Sequence, residues 1–251
     1  MTSDFDPIVF ACSELLNNFP PASKTKNYID NRLSKETQEK FQFGYFPVNE
    51  HLSILQNMVG EDILFKDKCN LIYDKVIDNR KERHGVLEEH NLILPYKDLY
   101  GNIIGLVGRT IQSDEEREIS GLAKYKNTSF DKGKNLFGLD LARKSMIEKK
   151  FVYIVEGQID LIRAQESGIS NIVALGSSNM TFEQVALILR YCDKIVLLLD
   201  NDEAGIKGAT KIKDYFDNDI KINIGKLPNG YKDMCEMIDG GAGVDGIEIM
   251  V

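Results

Sequence analysis

Cysteine and histidine are scarce in this chain. Cys12, Cys69, Cys192 and Cys235 lie far apart with no C-x-x-C pair, and the histidines are His51, His84 and His90. Zinc ribbons and fingers need closely spaced ligand pairs, so no zinc is expected in this chain, and the cysteines are expected to be free thiols, mostly in the core. No uninterrupted apolar run approaches the ~18–20 residues of a membrane span. The first residues, MTSDFDPIVFACSELL, are acidic, and their apolar run is broken by Ser13 and Glu14. No secretory signal is therefore expected, and the cytoplasm is the expected location, with no membrane partner. A Walker A loop and a G-x-G-x-x-G are both missing, which speaks against P-loop chemistry and dinucleotide binding. No internal repeat or low-complexity tract stands out.

What is present is a chain of 251 residues, 43% hydrophobic and 28% charged, with a formal net charge of -8. That length suits one large domain or two small ones, and the composition is that of an ordinary globular protein. The negative total argues against indiscriminate coating of nucleic acid, but the charge is segregated. Lys124, Lys126, Lys132, Lys134, Arg143, Lys144, Lys149 and Lys150 face only Asp131, Asp140 and Glu148 over the same stretch, and acids crowd the last hundred residues. Such a division suits a chain in which one part holds a polyanion and another holds metal ions. A solvated face would give the same composition.

Local pattern divides the chain further. Asn17-Asn18-Phe19-Pro20-Pro21 ends any first helix. Tyr28 to Phe41 reads as one helix. Residues 92–109 read as a hairpin, two apolar runs flanking Leu99-Tyr100-Gly101-Asn102. Ser113 to Gly121 is charged and reads as a surface loop. After residue 150 short apolar runs alternate with helical stretches: strands over 151–155, 171–175, 194–199 and 220–224, helices over 158–167, 181–191 and 204–216. Strands without polar alternation are buried on both faces, and their spacing by helices means a parallel sheet. The expected organisation is an N-terminal extension over 1–27, a basic α+β subdomain over 28–150, and an α/β subdomain over 151–251 with a parallel four-stranded sheet flanked by helices.

In such a sheet, ligands bind beyond the carboxyl ends of the strands. There the first strand runs into Glu156-Gly157 and the third into Asp200-Asn201-Asp202-Glu203, while Asp160 follows Glu156 by one helical turn. Clustered carboxylates repel one another in a low-dielectric site unless a cation lies between them, and hard ions such as Mg²⁺ or Mn²⁺ prefer oxygen donors. Gly157 and Gly205 would let backbone or substrate approach closely. Acids at strand-to-helix turns also cap helices, so one of them alone carries little. A calcium loop is a poor fit, because Ala204 and Lys211 stand where ligands would be needed. An aspartate-nucleophile phosphatase would leave Glu156-Gly157 without a role.

The pair Val155-Glu156-Gly157 and Leu199-Asp200-Asn201-Asp202-Glu203-Ala204-Gly205, with Leu175-Gly176-Ser177 between them, resembles the Toprim domain of primases, topoisomerases and some nucleases. Upstream, Leu94-Pro95-Tyr96-Lys97-Asp98 with Gly108-Arg109, Lys124-Tyr125-Lys126-Asn127-Thr128, and Lys132-Gly133-Lys134-Asn135-Leu136-Phe137-Gly138-Leu139 resemble the RNA-polymerase core of DnaG-type primases of bacteria and phages. Tyr28-Ile29 and Arg32-Leu33-Ser34 resemble its entry helix, with one glycine missing after Arg32. Together these segments cover about residues 28–235.

The resemblance implies a DNA primase core that makes short RNA primers on a single-stranded DNA template from NTPs. It implies Glu156, Asp200 and Asp202 as catalytic and metal-binding acids, with Asp160 and Asp233 as further metal ligands. It also implies Arg32, Arg109, Lys124, Lys126, Lys132 and Lys134 as contacts to template or nucleotide phosphates, and a replicative helicase or a separate zinc-binding module as partners. Leu227-Pro228-Asn229-Gly230-Tyr231-Lys232-Asp233 resembles a later family segment but departs from it. It carries one extra residue, and Cys235 stands where the family has a second acid. A Toprim-type nuclease and a non-catalytic single-strand-binding module are the alternatives.

Overall fold

The computed structural model describes residues 3–66, 68–216, 220–228 and 230–250. They form two compact units, one within Met1–Lys97 and Asn102–Phe130, the other within Asp98–Gly101 and Asp131–Val251. Packing therefore divides the chain at Phe130/Asp131, upstream of the change in sequence pattern at Lys149-Lys150.

The first unit opens with α1 (Asp6–Asn18), whose buried Ile8, Val9, Cys12, Leu15 and Leu16 form one helical face. A 3-10 turn at Pro20–Ala22 follows the expected break. The single helix expected over 28–41 is instead two: α2 (Ser23–Asp30) and α3 (Lys35–Lys40). Ser34 explains the interruption. Its backbone is extended and its hydroxyl accepts from the Thr37 N–H, so it starts a new helix rather than continuing the old one.

Next come β1 (Gly44–Tyr45), α4 (Leu52–Val59) and α5 (Glu61–Phe65), then β2 (Ile72–Ile77) and β3 (Arg80–Gly85), which pair as a two-stranded hairpin. The turn residues Asp78 and Asn79 both have positive φ, as a tight hairpin turn requires. The expected hairpin is β4 (Leu92–Lys97) against β5 (Ile103–Arg109). The stretch expected as a loop contains α6 (Asp114–Ser120), nucleated by a capping box between Ser113 and Glu116 and closed by left-handed Gly121. Strand β6 (Tyr125–Asn127) completes a sheet of order β1-β4-β5-β6.

The second unit runs α7 (Leu139–Lys149), β7 (Val152–Val155), α8 (Gln158–Glu166), β8 (Ile172–Ala174), α9 (Phe182–Ile188), β9 (Lys194–Leu197), α10 (Glu203–Phe216), β10 (Lys221–Lys226), α11 (Met234–Asp239) and β11 (Glu248–Met250). Strands β10, β9, β7 and β8 are parallel in that order, as expected, and β11 adds an antiparallel fifth strand beside β10. Ile154, Val173, Leu197, Ile188 and Ile212 are buried in the core that the helices close over this sheet. From β7 the chain goes first to β8 on one side, then back past β7 to β9. The order therefore reverses between β7 and β9, and such a reversal opens a crevice at the carboxyl ends of the two strands. No helix among the described residues is long and apolar enough to cross a membrane.

Candidate metal centre

The crevice is where the acids stand. Glu156 follows β7 directly, and the loop from Leu198 to Asp202 follows β9. The backbone keeps both strand ends in register beyond the strands themselves: Leu198 N–H donates to Ile154 O at 2.7 Å, and Gly176 N–H to Glu156 O at 2.8 Å. The charges of the neighbouring acids act on Glu156, although among the described residues the one trio of ligand atoms within 4.8 Å of one another is that of Asp160, Asp233 and Cys235. Burial, followed by the charges of Asp200, Asp202 and Asp160, raises the Glu156 carboxyl above its usual range. Burial and nearby like charges both disfavour its ionised form, and a bound cation would favour it.

Asp202 is exposed, and its carboxylate accepts from Gly205 N–H at 2.9 Å, which caps the start of α10. The Asp therefore does act as a cap, and its charge also acts on Glu156. Gly205 admits a close backbone approach, as expected, whereas Gly157 makes room for a carboxylate of its own helix. A Cβ at Gly205 would overlap the Asp200 carbonyl, and one at Gly157 would overlap the Asp160 carboxylate. The close approach is made by the acidic loops themselves.

Asp160 projects from the first turn of α8 toward α11. As a residue it retains some exposure, but its carboxyl is enclosed, and burial with the neighbouring Asp233 charge pushes it from 3.8 up to about 6. Asp233 caps α11 by accepting from Glu236 N–H at 2.8 Å. Cys235 N–H donates to Asp160 Oδ1 at 3.3 Å. One ligand atom each from Asp160, Asp233 and Cys235 lies within 4.8 Å of the others. Cys12, Cys69 and Cys192 are buried as expected, whereas Cys235 faces two carboxylates instead of the core. Sequence reasoning noted Cys235 only as a departure; its position two residues after an acid was the available signal. The segment before α11 is tied to the acidic loop, since Asn201 N–H donates to Lys232 O at 2.6 Å and Asn201 Nδ2 to Tyr231 O at 3.3 Å. Asn229 of that segment lies outside the described residues.

The basic candidates fall in both units. Lys132 and Lys134 belong with the acids in the second unit. Lys132 Nζ donates to Gly176 O at 2.8 Å, on the turn whose amide bonds Glu156 O. Its segment is held by buried Gln184, which donates to Lys132 O and Asn135 O, and by Thr181 Oγ1, which donates to Gly133 O at 2.5 Å. Lys134 is exposed and paired with Asp131 at 2.8 Å. Arg32, Arg109, Lys124 and Lys126 belong to the first unit. Arg109 on β5 lies directly opposite Tyr125 on β6, and the exposed Lys126 opposite Gly108. The guanidinium carbons of Arg32 and Arg109 lie 3.8 and 4.8 Å from the Tyr28 ring centre, and Arg109 and Lys124 lie 5.7 and 6.0 Å from that of Tyr125. Alternating cations and aromatic rings are the elements from which single-strand binding surfaces are built.

A parallel sheet with carboxylates at its switch point defines a Toprim-type unit, and residues 153–238 match the family model described as Toprim-like. Residues 13–143 match the model for the N-terminal domain of the DNA primase catalytic core. The chain belongs to the DNA primase catalytic-core family. It is 28% identical over 243 residues to the DNA primase of Synechococcus elongatus, covering 92% of this chain and 34% of that protein. It therefore spans about a third of that relative's length. The crystal structure of Aquifex aeolicus primase, comprising zinc-binding and RNA polymerase domains, is similar with a TM-score of 0.73 and 27% identity, over 95% of this chain and 59% of that one. A DnaG primase catalytic domain solved bound to ssDNA shares the fold at a TM-score of 0.74 and 23% identity, over 96% and 76% of the two chains.

Proposed function

We propose that this chain is the catalytic core of a DNA primase, joining ribonucleotides into short primers on a single-stranded DNA template. The observation that carries the reading is the placement of Glu156, Asp200, Asp202 and Asp160 around the reversal of a Toprim sheet, where burial and the three aspartates raise the Glu156 carboxyl. Their donor set is all oxygen, which suits Mg²⁺ or Mn²⁺. A divalent ion bound there would stabilise charge on the attacking 3′-hydroxyl and on the departing pyrophosphate. Asp200 and Asp202 would hold it. Glu156 would be a further ligand or the base that accepts the hydroxyl proton, and its raised carboxyl is matched to that second task. Asp160 and Asp233 would hold a further cation.

Lys132 and Lys134 would grip nucleotide phosphates, while Arg32, Arg109, Lys124 and Lys126 would track the template backbone without reading its sequence. The ssDNA-bound DnaG domain supports a single-stranded template. A zinc-binding module, as in the Aquifex protein, and a replicative helicase are the proposed partners, and the cytoplasm is the proposed setting.

The test is synthesis on single-stranded DNA with NTPs and Mg²⁺ or Mn²⁺. Glu156→Gln and Asp200→Asn should each abolish oligoribonucleotide formation while leaving the circular dichroism spectrum unchanged. Undiminished yield in either variant removes the site. Cleavage of the DNA without NTPs would instead identify a nuclease, and binding without either reaction a silent module.

A further inference from the structure

We infer that Cys235 is a metal ligand, giving the Asp160–Asp233 position a sulfur donor and a preference for thiophilic divalent ions such as Zn²⁺, Co²⁺ or Cd²⁺ over Mg²⁺. The inference deepens the proposed metal-dependent reading and rests on it.

Three observations converge. The ligand atoms of Asp160, Asp233 and Cys235 all lie within 4.8 Å of one another. Ligands at roughly 2.0–2.2 Å for oxygen and 2.3 Å for sulfur span distances up to about 4.5 Å across one ion, so small side-chain adjustments close the set. The trio is also held in place from several directions. Asp160 leaves α8 beside Gly157, where only a glycine leaves room for its carboxylate. Asp233 is fixed as the cap of α11, Cys235 N–H bonds Asp160, and the preceding segment is pinned to Asn201. Finally, among the described residues neither Asp160 nor Asp233 forms an ion pair with Lys, Arg or His. Two carboxylates brought together without a protein cation are a place for a bound one.

The chemistry of the third donor decides which ion. Oxygen-only sites suit Mg²⁺, whose octahedral shell resists dehydration, whereas thiolate favours Zn²⁺ and its softer neighbours. On binding, the S–H bond breaks, a metal–sulfur bond forms, and the proton goes to buffer. The spacing argument against zinc covers only paired-cysteine modules. Here Asp160 is distant in sequence from Asp233 and Cys235, and the three meet because α8 packs on α11.

The full chain, stripped with EDTA, is titrated with Cd²⁺ and followed by the ultraviolet thiolate-to-metal charge-transfer absorption. One equivalent should produce the band, and a large excess of Mg²⁺ should not remove it. Cys235→Ser should abolish it, and Asp233→Asn should weaken Cd²⁺ binding at least about tenfold. Cys235→Asp should lose the band and gain measurable Mg²⁺ binding at this position by calorimetry, with circular dichroism confirming the fold of each variant. Absence of the band, its persistence in Cys235→Ser, or its displacement by Mg²⁺ overturns the inference. Glu156→Gln separates the two readings, because it should stop primer synthesis and leave the Cd²⁺ band intact. A chain that shows the band but makes no primers under any metal fails the primase reading alone.

Discussion

Replacing Asp160 by Asn should make the metal-free protein more stable. The carboxyl is pushed from 3.8 to about 6 by burial and by Asp233. Two units at about 1.4 kcal/mol each give an upper figure of about 3 kcal/mol. The direction follows from proton counts. A group whose value is raised in the folded state binds more protons folded than unfolded over roughly pH 4 to 6. Its stabilising contribution is complete below the unfolded value and is lost as pH rises through the folded one. Asp160 therefore costs the metal-free protein most at pH 8 and little at pH 4. Asn keeps an oxygen to accept from Cys235 N–H, so the variant removes charge without orphaning that donor. Urea unfolding in EDTA should show Asp160→Asn about 1–3 kcal/mol more stable than the parent at pH 8, with the gap closing to under about 1 kcal/mol at pH 4. Saturating divalent cation should stabilise the parent and reduce the gap, because binding to the folded state alone shifts the equilibrium. Equal midpoints at pH 8, or a gap of the same size at both pH values, would refute the assignment of Asp160 as an uncompensated buried carboxylate.

Other outcomes follow from the same geometry. Gly205→Ala should displace the Asp200 loop, because the added methyl meets the Asp200 carbonyl. We expect about 1–3 kcal/mol of destabilisation by thermal melting together with loss of primer synthesis, and an unaffected enzyme would contradict it. Gln184→Ala removes the donor to Lys132 O and Asn135 O and should cost about 1–3 kcal/mol in chemical denaturation, with a raised NTP requirement. Lys124→Ala should weaken single-stranded DNA binding and lower the slope of log affinity against log salt by about 0.7 per lost phosphate contact, as read by fluorescence anisotropy. Lys132→Ala should raise the apparent nucleotide requirement instead; if neither lysine has any effect, both are ordinary solvated charges.

Much of the second unit was legible because its signals are local and agree. Short apolar runs, intervening amphipathic stretches and acids at the run ends all pointed to one parallel sheet, and β7, β8, β9 and β10 lie where those runs are. The hairpin of β4 and β5 was legible for the same reason. What was missed depended on competing or distant interactions. Ser34 could have sat inside a helix by composition, but its extended backbone and its cap bond to Thr37 N–H start α3 afresh after α2 has ended at Asp30. The stretch at 114–120 looked like a loop because all of it except the exposed Ile119 is polar, yet the reciprocal bonds of Ser113 and Glu116 make it a helix without any buried face. The β2–β3 hairpin carries no glycine at its turn, so Asp78 and Asn79 hid it. Strand β11 exists through pairing with β10, a contact no local pattern announces. Cys235 belonged to an acidic trio only once α8 and α11 were brought together.

The tethering of Lys132 has an evolutionary consequence. Its ammonium is anchored to the turn after β8 and its backbone to α9, so the positive charge is inherited with the acids rather than with the polypeptide that carries Arg109 and Lys124. Exchanging the first unit for one with another template preference would leave this lysine in place. On the proposed reading, a lineage could therefore alter which strands it engages while the lysine on the turn after β8 stays constant.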